Sequence, residues 1–123
     1  MVATPIFRAA TALLAIAFVS GIVLTLFRFG SDRPSPPWMA KLHGFAAAGA
    51  LTLLVFGWAH LAYARAATVA LIALLLAACG GLVLNLAYHW KNRPLPEWLV
   101  FAHMAVAALG FLLVGVVTLS LAA

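Results

Sequence analysis

Four long apolar stretches, separated by short polar and proline-rich breaks, organise the chain. They cover about 9–29, 38–62, 66–89 and 96–121, the first stopping at Gly30-Ser31-Asp32-Arg33-Pro34. About 20 apolar residues cross a bilayer core, and each crossing must be helical so that its backbone groups satisfy one another. The pattern therefore predicts four membrane-spanning α-helices. Pro34, Pro36, Pro37, Pro94 and Pro96 fall between spans or at helix starts, where a missing N–H costs nothing. Only a few residues around Arg65 separate spans two and three, which forces an antiparallel hairpin. The first stretch follows a weakly basic start at Arg8 and exceeds the apolar region of a secretory signal. It also lacks a small-x-small site near its end, so it reads as a span and not as a leader.

Sliding the chain against itself by 60 residues exposes an internal repeat. Gly21-Ile22-Val23-Leu24-Thr25-Leu26 falls on Gly81-Leu82-Val83-Leu84-Asn85-Leu86, Arg33-Pro34-Ser35-Pro36-Pro37-Trp38 on Arg93-Pro94-Leu95-Pro96-Glu97-Trp98, and His43 on His103. Without a gap, 13 of the 41 pairs between 21–61 and 81–121 are identical. Ala and Leu coincide by chance in such a chain; Arg, Pro, Trp and His do not. The expected fold is an all-α, four-helix membrane bundle of two tandem hairpins, 1–60 and 61–123. A pseudo-two-fold axis along the membrane normal would relate them.

Composition narrows the function classes. Of 123 residues, 67% are hydrophobic and 7% charged, with a mean hydropathy of +1.19. A soluble domain carries about 25% charged residues. This excludes a soluble domain, a disordered chain and a nucleic-acid-binding module, despite the net charge of +5. The cations sit at span ends, as in multi-pass proteins. Arg28, Arg33, Lys41, Lys91 and Arg93 lie on the side of the 30–37 and 90–96 loops, called end A; Arg8 and Arg65 lie at end B with both termini. The positive-inside rule places end A in the cytoplasm of a bacterial inner membrane. Cys79, alone in an apolar run, reads as a small buried residue, and no CxxCH for covalent haem attachment is present.

The repeat places chemistry at one depth. Trp38 and Trp98 open spans two and four and suit the headgroup interface. His43 and His103 follow five residues on, about 7.5 Å deeper. Two imidazoles at equal depth on two helices of a bundle can face across its interior, where cofactors are held. The neighbours one turn on are small, Ala47 and Ala107 among them, and admit a close backbone or a flat macrocycle. The spacing Arg-Pro-x-Pro-x-Trp-x4-His occurs twice. It suits one b-type haem, with His43 and His103 as axial ligands and Arg33 and Arg93 on its carboxylates. With both axial positions filled, the chemistry is one-electron transfer.

Other readings of the same residues stand beside this one. The histidines can simply hydrogen-bond between helices or to an adjacent subunit. Met39 and Met104 bring sulfur near the pair, which suits Cu(I), although methionines in apolar helices are usually packing residues. His89 ends span three, where it could hydrogen-bond a haem carboxylate or replace one ligand, but its repeat mate is Phe29. His60 lies about 25 Å from His43 along the helix and its mate is Ser120, so a second haem would need a second protomer. Asp32 and Glu97 read as caps or partners of the nearby arginines. There is no carboxylate inside a span for a proton relay, no nucleophile–base pair and no Gly-rich phosphate loop.

With Trp-x4-His-Gly at 38–44, His60 and the second His at 103, the chain resembles small bacterial four-span membrane proteins of the cytochrome b type. Larger b-type and b561-type cytochromes likewise carry haem between helices on paired histidines. The resemblance implies a non-covalent haem b on His43 and His103. Two-haem members need four histidines at two depths, and here the end-B set is incomplete. A lone haem near one face does not carry electrons across a core about 30 Å thick. The expected task is single-electron transfer between a membrane-associated partner or quinone and a larger complex, by a carrier or subunit and not a stand-alone enzyme. The expected partners are membrane lipid, other membrane subunits or a homodimer mate. The competing classes are a cofactor-free structural or assembly subunit and an oxidoreductase acting directly on quinone or superoxide.

Overall fold

The computed structural model describes residues 3–31 and 35–123. Four helices follow in chain order: α1 (Ala3–Gly30), α2 (Pro37–His60), α3 (Arg65–Val83, continuing as a π-helical segment Leu84–His89) and α4 (Glu97–Ala122). No strand occurs among the described residues. Each helix is long and apolar enough to cross a membrane. The 24 residues of α2 alone rise about 36 Å. Helices α1 and α2 pack as one antiparallel hairpin and α3 and α4 as another; α1 also lies along α4, while α2 and α3 meet less extensively.

The boundaries follow local chemistry. α1 begins at Ala3, ahead of the expected 9, because Pro5 sits in the first turn, where no N–H is needed. α2 starts on Pro37 after Pro36, whose carbonyl accepts from Met39 N–H at 3.0 Å; Pro96 accepts from Leu99 N–H at 3.1 Å at the start of α4. α2 stops at His60, two residues before the expected end. There Leu61 N–H bonds Gly57 O at 2.8 Å, and the returning Tyr63 hydroxyl donates to Leu54 O at 3.0 Å. Burial pushes the Tyr63 phenol above its usual pKa of 10.0.

The end of the third span departs from the expected regular helix. Leu84–His89 widens into π-helix, with Trp90 N–H bonding Asn85 O at 2.9 Å. Asn92 then adopts a left-handed φ of 50°. Arg93 N–H reaches Tyr88 O and Asn92 N–H reaches His89 O, which together satisfy the final carbonyls.

Large side chains fill the end-B half of the interior. Phe7, Leu14, Leu54, Leu71, Leu74, Val114 and Val117 form one buried cluster there with Ala10, Ala50, Ala67 and Ala70. The outer surface is apolar as well: Phe45 is 77% exposed, Leu112 65% and Leu76 63%. Apolar exposure on this scale marks an interaction surface for lipid or protein. Cys79 belongs to that surface. It is exposed, contrary to the expectation of burial, because α3 is apolar all round and an apolar neighbourhood in sequence does not select an inward face.

Candidate functional site

In the end-A half the interior changes character. His43 of α2 and His103 of α4 face one another with ring centres 6.2 Å apart and planes inclined at 71°. Each ring is tied to the other helix of its own hairpin. His43 Nδ1 lies 2.7 Å from Ala17 O, and His103 Nδ1 lies 2.7 Å from Ala77 O. A carbonyl only accepts, so each Nδ1 carries the proton and donates. In the neutral form each ring then keeps a free lone pair on Nε2, the arrangement that orients metal-ligating histidines.

The rings rest on glycine. A Cβ at Gly21 would stand 2.9 Å from His43 Cε1, and one at Gly81 would stand 3.1 Å from His103 Cε1. Neither position accepts a side chain without moving the imidazole. Both glycines belong to the aligned block of the repeat, but their part in seating the rings emerges only once the α1–α2 and α3–α4 packing is known. The correspondence also runs further back than the 21–61 block. The inward face of α1 reads Ala10, Leu14, Ala17, Gly21 and that of α3 reads Ala70, Leu74, Ala77, Gly81. Extending the 60-residue comparison towards the N-terminus by one helical face is the signal that finds them.

No hydrogen-bond partner for either Nε2 is present among the described residues. No fully buried side-chain nitrogen or oxygen there lacks a partner, so both Nε2 atoms keep some accessible surface. A metal between two imidazoles sets their centres about 6 Å apart, from metal–nitrogen bonds of about 2.1 Å and about 1 Å from each nitrogen to its ring centre. The two ring centres are 6.2 Å apart. Among the described residues no group of three or more His, Cys, Asp or Glu could share a metal ion. The described residues therefore do not supply the four protein ligands of a closed structural zinc site. The two imidazoles are the donors brought together here; a tetrapyrrole, which brings four nitrogens of its own, asks a protein for at most two more.

The remaining sequence-predicted residues are less closely tied to the pair. Ala47 and Ala107 are half-buried one turn below the histidines. Trp38 and Trp98 are 60% and 71% exposed in the first turns of α2 and α4. His89 is exposed at the end of the π-helical segment, and Arg93 is exposed in the loop beyond it. Arg33 and Asp32 lie outside the described residues. Glu97 occupies the first turn of α4, where its charge suits the helix dipole, and makes no side-chain cap. The Met104 sulfur sits 3.4 Å from the Thr25 hydroxyl, and Met39 lines an open apolar groove of about 460 Å³ on the outer face of α1 and α2. A second groove of about 500 Å³ runs along α2 near His60. His60 stacks on Phe56 at 4.4 Å and bonds Phe56 O within its own helix at 2.9 Å. Neither groove includes His43 or His103.

No family model, curated protein or solved structure matches this chain.

Proposed function

We propose that this chain is a multi-pass membrane protein that holds one b-type haem between His43 and His103 and passes single electrons. The observation that carries the reading is the paired imidazole geometry: two rings 6.2 Å apart, each with Nδ1 committed to a main-chain carbonyl and Nε2 left for a ligand. On this reading the two hairpins are tandem copies, and the apolar exterior faces lipid or other membrane subunits. His43 and His103 would hold the haem, which would supply a reversible one-electron couple there. The protein's share is to hold both rings in the ligating tautomer, seated against Gly21 and Gly81, and to keep the end-A interior low in polarity. An electron donor or acceptor such as a quinone or a membrane subunit would approach along the bundle or at its end A.

One observation favours a second reading. The two Nδ1–carbonyl bonds pin α1 to α2 and α3 to α4, and that alone is a structural reason for histidine at 43 and 103. On this alternative the chain is a cofactor-free subunit. The discriminating experiment is haem content and a reduced-minus-oxidised visible spectrum of the detergent-purified chain, expressed with ample haem. Close to one haem per chain with a sharp low-spin α-band is the expected result. A flat spectrum from folded protein would leave the structural reading.

A further inference from the structure

The two seams between the hairpins are unequal at end A. In the α1–α4 seam, the Phe29 and Phe101 rings stack 5.7 Å apart, and Thr25 reaches Met104 at 3.4 Å. Sixty residues away in each case, the corresponding positions on the third span and α2 carry His89 and Lys41 in place of the stacked rings, and Asn85 and Gly44 in place of Thr25 and Met104. The aromatic plug is thus exchanged for an ammonium and an imidazole, and the packed thioether for no side chain at all. A Cβ at Gly44 would meet nothing within 4 Å.

Three further observations agree. On α4, Met104 and Phe101 stand one residue after and two before His103, and both touch α1. Gly44 and Lys41 hold the same places around His43 in the sequence, and a Cβ at Gly44 would meet open space. Asn85 and His89 lie on the π-helical segment, the one irregular turn within the four helices, and such turns often occur at functional sites. Lys41, Gly44, Asn85 and His89 are all exposed, and α2 packs less closely on α3 than α1 does on α4.

We infer that the end-A seam between α2 and α3 is the mouth of the histidine site and the anchor for the haem's carboxylates, with Lys41 and His89 binding them and Asn85 adding a donor. The inference rests on the haem reading above. It moves the anchor from the expected arginines to a seam one to two residues from His43 itself. Chemistry favours the move. A carboxylate forms charge-assisted bonds with ammonium and imidazolium donors. The chain has seven Lys and Arg against two Asp and Glu, so its cations exceed its own acids. A lateral mouth also admits a macrocycle without parting the tightly packed α1–α2 and α3–α4 pairs.

The test is haem transfer from the detergent-solubilised holoprotein to excess apomyoglobin, followed in the Soret region. Lys41→Gln with His89→Gln should release haem about ten-fold faster than wild type, the lower end of the effect of removing supporting contacts around a metal site. Arg93→Gln, and Phe29→Leu with Phe101→Leu in the closed seam, should release it at the wild-type rate. Acceleration by Arg93→Gln without acceleration by the Lys41/His89 pair would overturn the anchor, as would a wild-type rate in all three. Should the double variant yield no pigmented protein, Lys41→Gln is compared with Lys41→Arg: fast release from the glutamine variant and the wild-type rate from the arginine variant support the anchor, and equal rates refute it. A wild-type chain that takes up no haem removes the haem reading and the anchor together, whereas a haem-binding wild type with an indifferent seam removes the anchor alone.

Discussion

Towards end B the four helices close on Phe7, Leu14, Leu54, Leu71, Leu74, Val114 and Val117; towards end A the same helices enclose Ala17, Gly21, Ala77, Gly81 and two imidazoles. Leu54 and Val114, the largest side chains with almost no exposure, both belong to the first set. Between membrane-soluble helices, stability comes from close packing and hydrogen bonds more than from expelling water. The end-B half is built for such packing. The end-A half gives it up, replacing large aliphatic contacts with small residues and two directed hydrogen bonds. What the difference teaches is a division of labour, in which one half packs large side chains and the other seats two imidazoles on small residues.

Breaking either half should leave the other readable. The largest effect is expected from His43→Ala or His103→Ala, each of which should abolish the low-spin α-band while the bundle stays helical and monodisperse by circular dichroism and gel filtration. Simultaneous loss of fold and pigment in both variants would show that the halves are not separable. Next, Leu54→Ala should lower stability by about 2–5 kcal/mol, the range for deleting a buried leucine side chain, with the visible spectrum of the folded protein unchanged. Denaturant titration in detergent measures it.

Smaller changes sharpen the comparison within the end-A half. Gly21→Ala should displace the His43 ring and cost about 1–3 kcal/mol as an overpacking substitution, with reduced haem occupancy. Gly81→Ala should cost less, because the corresponding approach is 3.1 Å and not 2.9 Å. Equal and negligible effects would mean that the rings do not depend on these seats. The smallest effect is expected at His60, which bonds only within its own helix. His60→Ala should stay within about 0.5 kcal/mol of wild type, as exposed positions do, and leave haem content unchanged.

How much of this was legible beforehand differs between the two halves as well. The four helices follow from run length, and their breaks from Pro36, Pro37, Pro94 and Pro96, because an apolar run of that length in lipid has no alternative to a helix. His43 and His103 were legible as a pair from the repeat. Their hydrogen-bond acceptors were not, since Ala17 and Ala77 act through main-chain carbonyls that leave no mark in the sequence. Nor was the inward face readable from hydropathy. Helices apolar on every side carry no amphipathic stripe, which is why Cys79 was expected inside and lies outside. The π-helical turn at Leu84–His89 was also invisible, because it is set by a one-residue slip in backbone pairing and not by residue type.

The central claim is that His43 and His103 ligate one haem iron together. Electron paramagnetic resonance of the oxidised, purified protein tests it most directly, because it reads the iron's axial field. With ring planes inclined at 71°, closer to perpendicular than to parallel, the account predicts a low-spin ferric signal of strongly anisotropic type with an unusually large highest g value. That signal should disappear on substituting either histidine. A high-spin ferric signal, or a low-spin signal that survives loss of His43 or His103, would contradict the assignment of the pair as joint ligands.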